Sequence, residues 1–146
     1  MKSPIEIPSV TDYVEITEVW EASVRATHTF LTEEDIQYYK PLILKEYLKS
    51  VRLFCTRDQN AITGFLGLDD DKIEMLFIRP DYRGKGVGKA LLDFAVNKQN
   101  ARKVDVNEQN EQAVGFYEYL GFKTVRREPL DSGGKPFPIL SMELQK

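Results

Sequence analysis

Residues 74–89 read E-M-L-F-I-R-P-D-Y-R-G-K-G-V-G-K, and this stretch decides how the chain folds. An apolar strand runs into a turn at Pro80, and a helical pattern resumes after glycines at 84, 86 and 88. Glycine has no Cβ, so its backbone turns sharply and its N–H groups approach an anion closely. The following helix adds unpaired N–H groups and the positive end of its dipole. The stretch therefore predicts a phosphate-binding loop between a strand and a helix.

The spacing of these glycines excludes two familiar phosphate motifs. A P-loop, G-x-x-x-x-G-K-[ST], is not matched, because its glycine spacing is absent and Lys89 is followed by Ala90. A dinucleotide fingerprint, G-x-G-x-x-G, differs because the glycines here fall at every second position. The remaining pattern is R-x-x-G-x-G, from Arg83 to Gly88, with further cations at Lys85 and Lys89.

Length and composition describe the class of protein. The 146 residues predict a single domain over 1–146, and 42% hydrophobic with 29% charged residues is ordinary for a globular chain. A net charge of −3 argues against a nucleic-acid partner, and no segment resembles a signal peptide or a membrane span. The single Cys55 suits a reducing cytoplasm, and one cysteine with one histidine does not make a metal site. We expect a soluble, cytoplasmic protein without a metal.

Hydrophobic periodicity divides the first half of the chain into helices and strands. Residues 1–9 suggest a short edge strand or an irregular arm. A helix capped by Ser9 or Thr11 follows and ends near residues 27–30. Thr32 opens a second helix, which Pro41 breaks or kinks. Three antiparallel strands follow at 51–56, 62–68 and 73–78, with polar turns at 57–60 and 69–71.

The second half begins with the helix after the glycines. A short strand at 104–106 follows it, then a helix from Asn110 to Tyr119 that Gly121 ends, then strands at 122–127 and 138–144. The strand at 104–106 follows a crossover helix, so we expect it to lie parallel to 73–78. The last strand, 138–144, is expected to offer an exposed edge for dimerisation.

The glycine loop and this order of elements resemble the GNAT superfamily of acetyl-CoA-dependent N-acetyltransferases. Residues 104–122, V-D-V-N-E-Q-N-E-Q-A-V-G-F-Y-E-Y-L-G-F, are similar to the family's second CoA segment, N-x-x-A-x-x-F-Y-x-x-x-G-F. The segments A-T-H-T-F-L at 26–31 and G-K-P-F-P-I-L at 134–140 are similar to a bacterial member of the family. The resemblance implies an α+β fold, an α/β/α sandwich whose mostly antiparallel sheet has parallel, splayed central strands at 73–78 and 104–107.

The resemblance also implies an activity and a set of binding residues. It implies transfer of acetyl from acetyl-CoA to a primary amine by direct attack in a ternary complex, with a protein lysine as the expected acceptor. Backbone N–H groups near residues 76–78 would pair with the pantetheine arm. The implied CoA-binding residues are Leu76, Phe77, Ile78, Arg83, Gly84, Lys85, Gly86, Val87, Gly88, Lys89, Asn110 and Tyr117. Asn110 is equally explained as a helix cap.

Acetyl transfer to an amine needs a neutral amine, a stabilised oxyanion and a proton for the departing thiolate. A phenol holds its proton at neutral pH, so Tyr117, which matches the family's general acid, is the predicted donor. The spacing of Tyr117 with Ala113 and Leu120 is also that of a core aromatic residue.

Three residues are candidates for the general base. Glu74 lies on the Leu76 face of its strand, Asp105 lies in the middle of the 104–106 strand, and His28 follows the first helix. Each is explained equally well as a solvated carboxylate or a capping histidine, and loss of the amine proton to water is a further alternative.

Two other functions fit the same fold. One is a CoA-binding sensor that transfers no acetyl group, although the presence of Tyr117 favours the enzyme. The other is an acetyltransferase for small amines, since nothing in residues 12–50 identifies the acceptor. The sequence leaves monomer and homodimer open.

Overall fold

The structure, a computed structural model, describes residues 4–145, and the chain divides into two units, residues 1–101 and 102–146. The first unit contains β1 (Ile5–Glu6), α1 (Tyr13–Thr27), α2 (Glu33–Leu42), β2 (Arg52–Asp58), β3 (Ala61–Asp69), β4 (Lys72–Ile78) and α3 (Val87–Gln99). The second contains β5 (Lys103–Asn107), α4 (Glu111–Tyr119), β6 (Phe122–Glu128) and β7 (Ile139–Leu144). Residues 1–3 of the predicted N-terminal edge strand lie outside the described residues.

The predicted antiparallel meander is confirmed in the first unit. β1, β2, β3 and β4 pair in chain order, and every pairing among them is antiparallel. β2 continues to Asp58, so the turn predicted at 57–60 is shorter than expected. Only Gln59 and Asn60 form it, with φ angles of 52° and 71°. Two successive residues in this left-handed conformation match the twist of a tight hairpin.

The two long N-terminal helices pack their apolar faces into the core of the first unit. Four apolar residues of α1 are buried at helical spacing: Ile16, Val19, Trp20 and Val24. Thr32 caps α2 through a capping box with Asp35, as the sequence predicts. Pro41 lies inside the last turn of α2, and the path beyond it continues as a π turn at Ile43–Tyr47. A proline removes one helical hydrogen bond, which accounts for this irregular continuation.

The sheet of the second unit has β7 in its middle. β7 pairs antiparallel with β5 on one side and with β6 on the other. The prediction that strand 138–144 offers an exposed edge is therefore wrong, since both of its sides are paired. Hydrophobic pattern identifies a strand but carries no information about strand order, and the long connection from 129 to 138 lets β7 insert between its neighbours.

The α+β class is confirmed, because helices and antiparallel strands alternate in blocks along the chain. The relation between strands 73–78 and 104–107 concerns both units and stays a prediction, as does the single domain. Within residues 4–145, no helix combines the length and apolar character that crossing a membrane requires.

Candidate active site

The glycine loop has the backbone that the sequence predicts. Gly84 and Gly86 adopt left-handed conformations, with φ angles of +78° and +86°. Residues other than glycine rarely adopt this left-handed backbone conformation without strain. Gly86 is the N-cap of α3, and the first helical hydrogen bond runs from the Ala90 N–H to the Gly86 carbonyl at 2.9 Å. The glycines are therefore required for the turn into α3.

The loop also leaves room for a ligand. A Cβ at Gly84 or Gly86 would meet no heavy atom within 4 Å apart from the adjoining residues. The N–H groups of Val87, Gly88 and Lys89 belong to the first turn of α3 and have no acceptor within the helix. Open space in front of a helix N-terminus of this kind fits the diphosphate of a CoA thioester.

Three cations flank this helix N-terminus. Lys85 lies over the Tyr82 ring, with its Nζ 5.2 Å from the ring centroid. Lys89 pairs with Asp93 one turn further along α3, at 3.0 Å between Nζ and Oδ2. Arg83 precedes the first glycine. The loop therefore combines directional N–H donors with full positive charge, as binding of a diphosphate needs.

Three hydrogen bonds, made by Tyr82 and Arg79, fix the entry to the loop, and no sequence motif predicts them. The Tyr82 hydroxyl donates a hydrogen bond to Asp58 Oδ2 at 2.6 Å. Arg79 donates from its backbone N–H to the Thr63 carbonyl and from Nε to the Ile62 carbonyl, both at 2.8 Å. The partners lie 16 to 24 residues earlier in the chain. No local motif reports a contact over such a separation.

The register of β4 determines which backbone N–H groups among residues 76–78 point away from β3. The Arg79 N–H points to β3, where it bonds to Thr63. Antiparallel strands alternate hydrogen-bonded and non-hydrogen-bonded residue pairs, so the N–H of Phe77 also faces β3. The N–H groups of Leu76 and Ile78 consequently point away from β3. A pantetheine arm that pairs with this side of β4 would therefore bond to these two N–H groups.

His28 ends α1 beside aromatic rings. Its Nδ1 lies 2.8 Å from Thr27 Oγ1, and its ring centroid is 5.3 Å from that of Phe30 and 6.5 Å from that of Phe77. Burial lowers the pKa of His28 to about 4. The imidazole is therefore neutral at physiological pH, but it is a weak proton acceptor. Its role as a base stays a prediction.

Glu74 lies on β4, on the face opposite the buried Ile73 and Met75. Its Oε2 is 3.7 Å from Lys72 Nζ, and both side chains are about one third exposed, at 32%. This places a solvated carboxylate on β4, the strand that leads into the glycine loop. Its assignment as a base also stays a prediction.

Asn110 and Tyr117 lie on one helix of the second unit. Asn110 Oδ1 accepts a hydrogen bond from the Ala113 N–H at 3.3 Å, so the capping alternative is confirmed. The Nδ2 group makes no hydrogen bond within the described part of the chain. Capping and contact with CoA are therefore compatible in Asn110, and the contact remains a prediction.

Tyr117 is a buried residue with an unengaged hydroxyl. Its ring packs edge-on against Phe116 and Phe122, with centroid distances of 5.3 and 5.6 Å. Among residues 4–145 the hydroxyl makes no hydrogen bond. Burial raises the pKa of Tyr117, so the phenol keeps its proton at neutral pH.

Asp105 lies opposite Ser141 in the β5–β7 ladder. The Ser141 hydroxyl donates to Asp105 Oδ1 at 3.1 Å, and Arg126 Nη2 is 3.4 Å from the same hydroxyl. The serine hydrogen bond orients the carboxylate. The structure thus places Asp105, Asn110 and Tyr117 in one unit, and Glu74, His28 and the glycine loop in the other.

Residues 4–145 hold neither a metal site nor a reactive thiol. Across residues 4–145, no three His, Cys, Asp or Glu side chains are grouped so as to hold a metal ion. Cys55 is fully buried, and burial raises the pKa of its thiol to about 11. The thiol is therefore protonated and inaccessible, which is the behaviour of a core residue.

Comparison with known proteins agrees with this geometry. The model of the acetyltransferase (GNAT) domain matches residues 21–145. The peptidyl-lysine N-acetyltransferase YjaB of Salmonella typhimurium strain LT2 is 39% identical over 125 residues, covering 85% of this chain and 86% of YjaB. YjaB of Escherichia coli K12 is 39% identical over 129 residues, covering 88% and 87%. The solution structure of apo-form Escherichia coli YjaB has a TM-score of 0.87 at 36% identity, covering 98% and 97% of the two chains. The chain therefore belongs to the GNAT acetyltransferase family.

Proposed function

We propose that this protein transfers acetyl from acetyl-CoA to the side-chain amine of lysine residues in proteins. The observation that carries the proposal is the glycine loop, where two left-handed glycines open the N-terminus of α3 to an anion. Family membership supports acetyl-CoA as the donor. The name of the YjaB relatives, peptidyl-lysine N-acetyltransferase, supports lysine as the acceptor.

The loop and β4 would bind and orient the donor. The N–H groups at the start of α3, together with Arg83, Lys85 and Lys89, bind the diphosphate. The outward N–H groups of Leu76 and Ile78 pair with the amides of the pantetheine arm as a neighbouring strand would. Such donors also stabilise the negative charge that develops on the thioester oxygen during attack. Binding of the arm along β4 thus positions the acetyl group.

Tyr117 would supply the proton in the final step. The amine nitrogen forms a bond to the acetyl carbon, the carbon–sulfur bond breaks, and the sulfur takes its proton from the Tyr117 hydroxyl. Burial keeps this phenol protonated, and no acceptor within the described residues competes for its proton. The acylated nitrogen then loses its extra proton and the Tyr117 phenolate regains one through solvent, which leaves an amide and the free thiol of CoA as products.

The attacking amine must first lose its own proton. We propose Glu74 or Asp105 as the acceptor, because each is a carboxylate with an identified polar neighbour. His28 is the weaker candidate, since a pKa of about 4 leaves little affinity for a proton. Transfer of this proton directly to water is the alternative.

Location and assembly belong to the proposal as well. We propose a cytoplasmic protein, because its only cysteine is a buried free thiol. For the state of assembly we propose a monomer. The outer strand β6 has a bulge between Thr124 and Arg126 and carries Lys123 and Arg127, features that oppose pairing with another strand.

The test is thiol release from acetyl-CoA with matched acceptors, followed from pH 6 to 9. A lysine peptide is compared with the same peptide carrying Nε-acetyllysine and with polyamines of similar charge. We expect release with the lysine peptide alone, and a mass shift at its lysine. If Glu74 or Asp105 is the base, Glu74→Gln or Asp105→Asn lowers kcat across this pH range while CoA binding is retained. Release with polyamines only would reject a protein acceptor, and no release despite CoA binding would indicate a sensor.

A further inference from the structure

The glycine loop has little packing of its own. Positions 84 and 86 face open space, and the four residues 83–86 join the turn at Pro80–Tyr82 to the first residue of α3. A loop of this kind samples many conformations unless its ends are fixed. The end at α3 is fixed, because Leu91, Leu92 and Ala95 are buried.

The other end is held upstream by Arg79 and, directly before the loop, by Tyr82. Its hydroxyl donates to Asp58 Oδ2 at 2.6 Å, a short hydrogen bond to a charged acceptor. Asp58 is the last residue of β2 and directly precedes the left-handed Gln59–Asn60 turn. The acceptor therefore belongs to a tight hairpin. This hydrogen bond also raises the pKa of Tyr82, so the phenol donates throughout the physiological pH range.

Tyr82 makes a second contact, to a cation of the loop. Lys85 Nζ lies 5.2 Å from the centroid of the Tyr82 ring. A cation at this distance is attracted to the negative face of the ring. One side chain thus connects the hairpin at Asp58 with a lysine that lies between the two left-handed glycines.

We propose that the hydrogen bond from Tyr82 to Asp58 holds the glycine loop in its diphosphate-binding conformation, which makes both side chains positioning residues for acetyl-CoA. The inference rests on the proposed function, because it takes the loop as the diphosphate site. Without the hydrogen bond, the ligand must order the loop as it binds, and affinity falls by the cost of that ordering. The acetyl group and Tyr117 are not affected, so kcat at saturating acetyl-CoA is preserved.

The test compares Tyr82→Phe and Asp58→Ala with wild type in calorimetric titrations with CoA. We expect the Kd for CoA to rise about three- to tenfold in each variant, the range for one lost hydrogen bond. Asp58→Asn keeps an acceptor oxygen and is expected to recover part of the affinity. The double variant is expected to bind no more weakly than the worse single variant, because both changes remove the same contact. Tyr119→Phe, a hydroxyl deletion at a residue that is 87% exposed, is the control.

Three readouts separate positioning from general damage. Pantetheine lacks the diphosphate, so its affinity is expected to be unchanged in Tyr82→Phe. Amide hydrogen exchange at residues 83–88, measured without ligand, is expected to be faster. With acetyl-CoA and the lysine peptide, KM for acetyl-CoA is expected to rise while kcat stays within about twofold. An unchanged CoA Kd, unchanged exchange, or additive losses in the double variant would overturn the inference. Wild type that binds CoA without transferring acetyl would reject the proposed function and leave this inference standing.

Discussion

At the scale of single residues, burial shifts the pKa of two titratable side chains. Tyr117 has its pKa raised and His28 has its pKa lowered to about 4, and in both cases burial is the cause. Burial penalises the charged form, which is the phenolate of tyrosine and the imidazolium of histidine. Both side chains are therefore neutral at pH 7. A neutral phenol is an effective proton donor, whereas a desolvated imidazole is a poor acceptor.

The lowered pKa of His28 predicts a loss of stability in acid. Below about pH 6.5 the unfolded chain binds a proton at this residue that the folded chain does not bind until about pH 4. The free energy of unfolding therefore falls as pH falls through this window, by about 2 kcal/mol at pH 4.5. Urea denaturation at pH 7 and pH 4.5 measures it. His28→Gln keeps the acid sensitivity of the carboxylates and is expected to lose this additional decrease. An equal decrease in wild type and variant would contradict the prediction.

The role of a residue can be predicted from sequence where a short local motif determines it. Gly84, Gly86, Asn110 and the cap at Thr32 were all identified from local spacing, because their roles depend on neighbours within a few positions. The buried environment of His28 cannot be predicted from local sequence. Its pKa depends on Phe77, which comes from a strand 49 residues further along the chain. Local sequence does not encode such desolvation.

At the scale of elements, the glycine loop offers a matched comparison. Gly86 and Gly134 share the left-handed conformation, with φ angles of +86° and +79°, and neither would bring a Cβ within 4 Å of a non-adjacent atom. Gly86→Val and Gly134→Val therefore carry the same backbone strain, about 1–2 kcal/mol, without a steric clash inside the protein. We expect similar decreases in thermal stability. Only Gly86→Val is expected to weaken CoA binding, by about tenfold or more, because its side chain occupies the ligand space.

Calorimetry with CoA and thermal denaturation together check this prediction. Equal loss of CoA affinity in both variants would show that strain anywhere in the chain disturbs binding. Unchanged affinity in Gly86→Val would remove the loop from the donor site.

Elements were predicted more reliably than their boundaries and their order. Periodicity located each helix and strand, but β2 continues two residues further than predicted and β7 lies between β5 and β6. Strand order is set by pairing between distant segments, and periodicity reports only which face of a strand is buried. The hydrogen bond from Tyr82 to Asp58 was not predicted for the same reason, since the two residues are 24 positions apart.

At the scale of the whole molecule, the predicted site residues are divided between two units. Residues 1–101 carry the glycine loop and the outward N–H groups of β4, and residues 102–146 carry Tyr117 and Asn110. The first set is suited to binding the donor, and the second contains Tyr117, the proposed proton donor. The proposed function requires both sets to act on one substrate. A change in the second set is therefore expected to alter turnover while donor binding by the first is retained.

The most direct measurement is single-substrate titration and turnover of wild type beside Tyr117→Phe. CoA binding is measured by calorimetry, and thiol release is followed at saturating acetyl-CoA and lysine peptide. We predict that Tyr117→Phe binds CoA with the affinity of wild type and that its kcat is lower by about 10²- to 10⁴-fold, the contribution of a general acid. Undiminished kcat in a folded Tyr117→Phe variant would contradict the account, because the proton on the departing sulfur would then come from elsewhere.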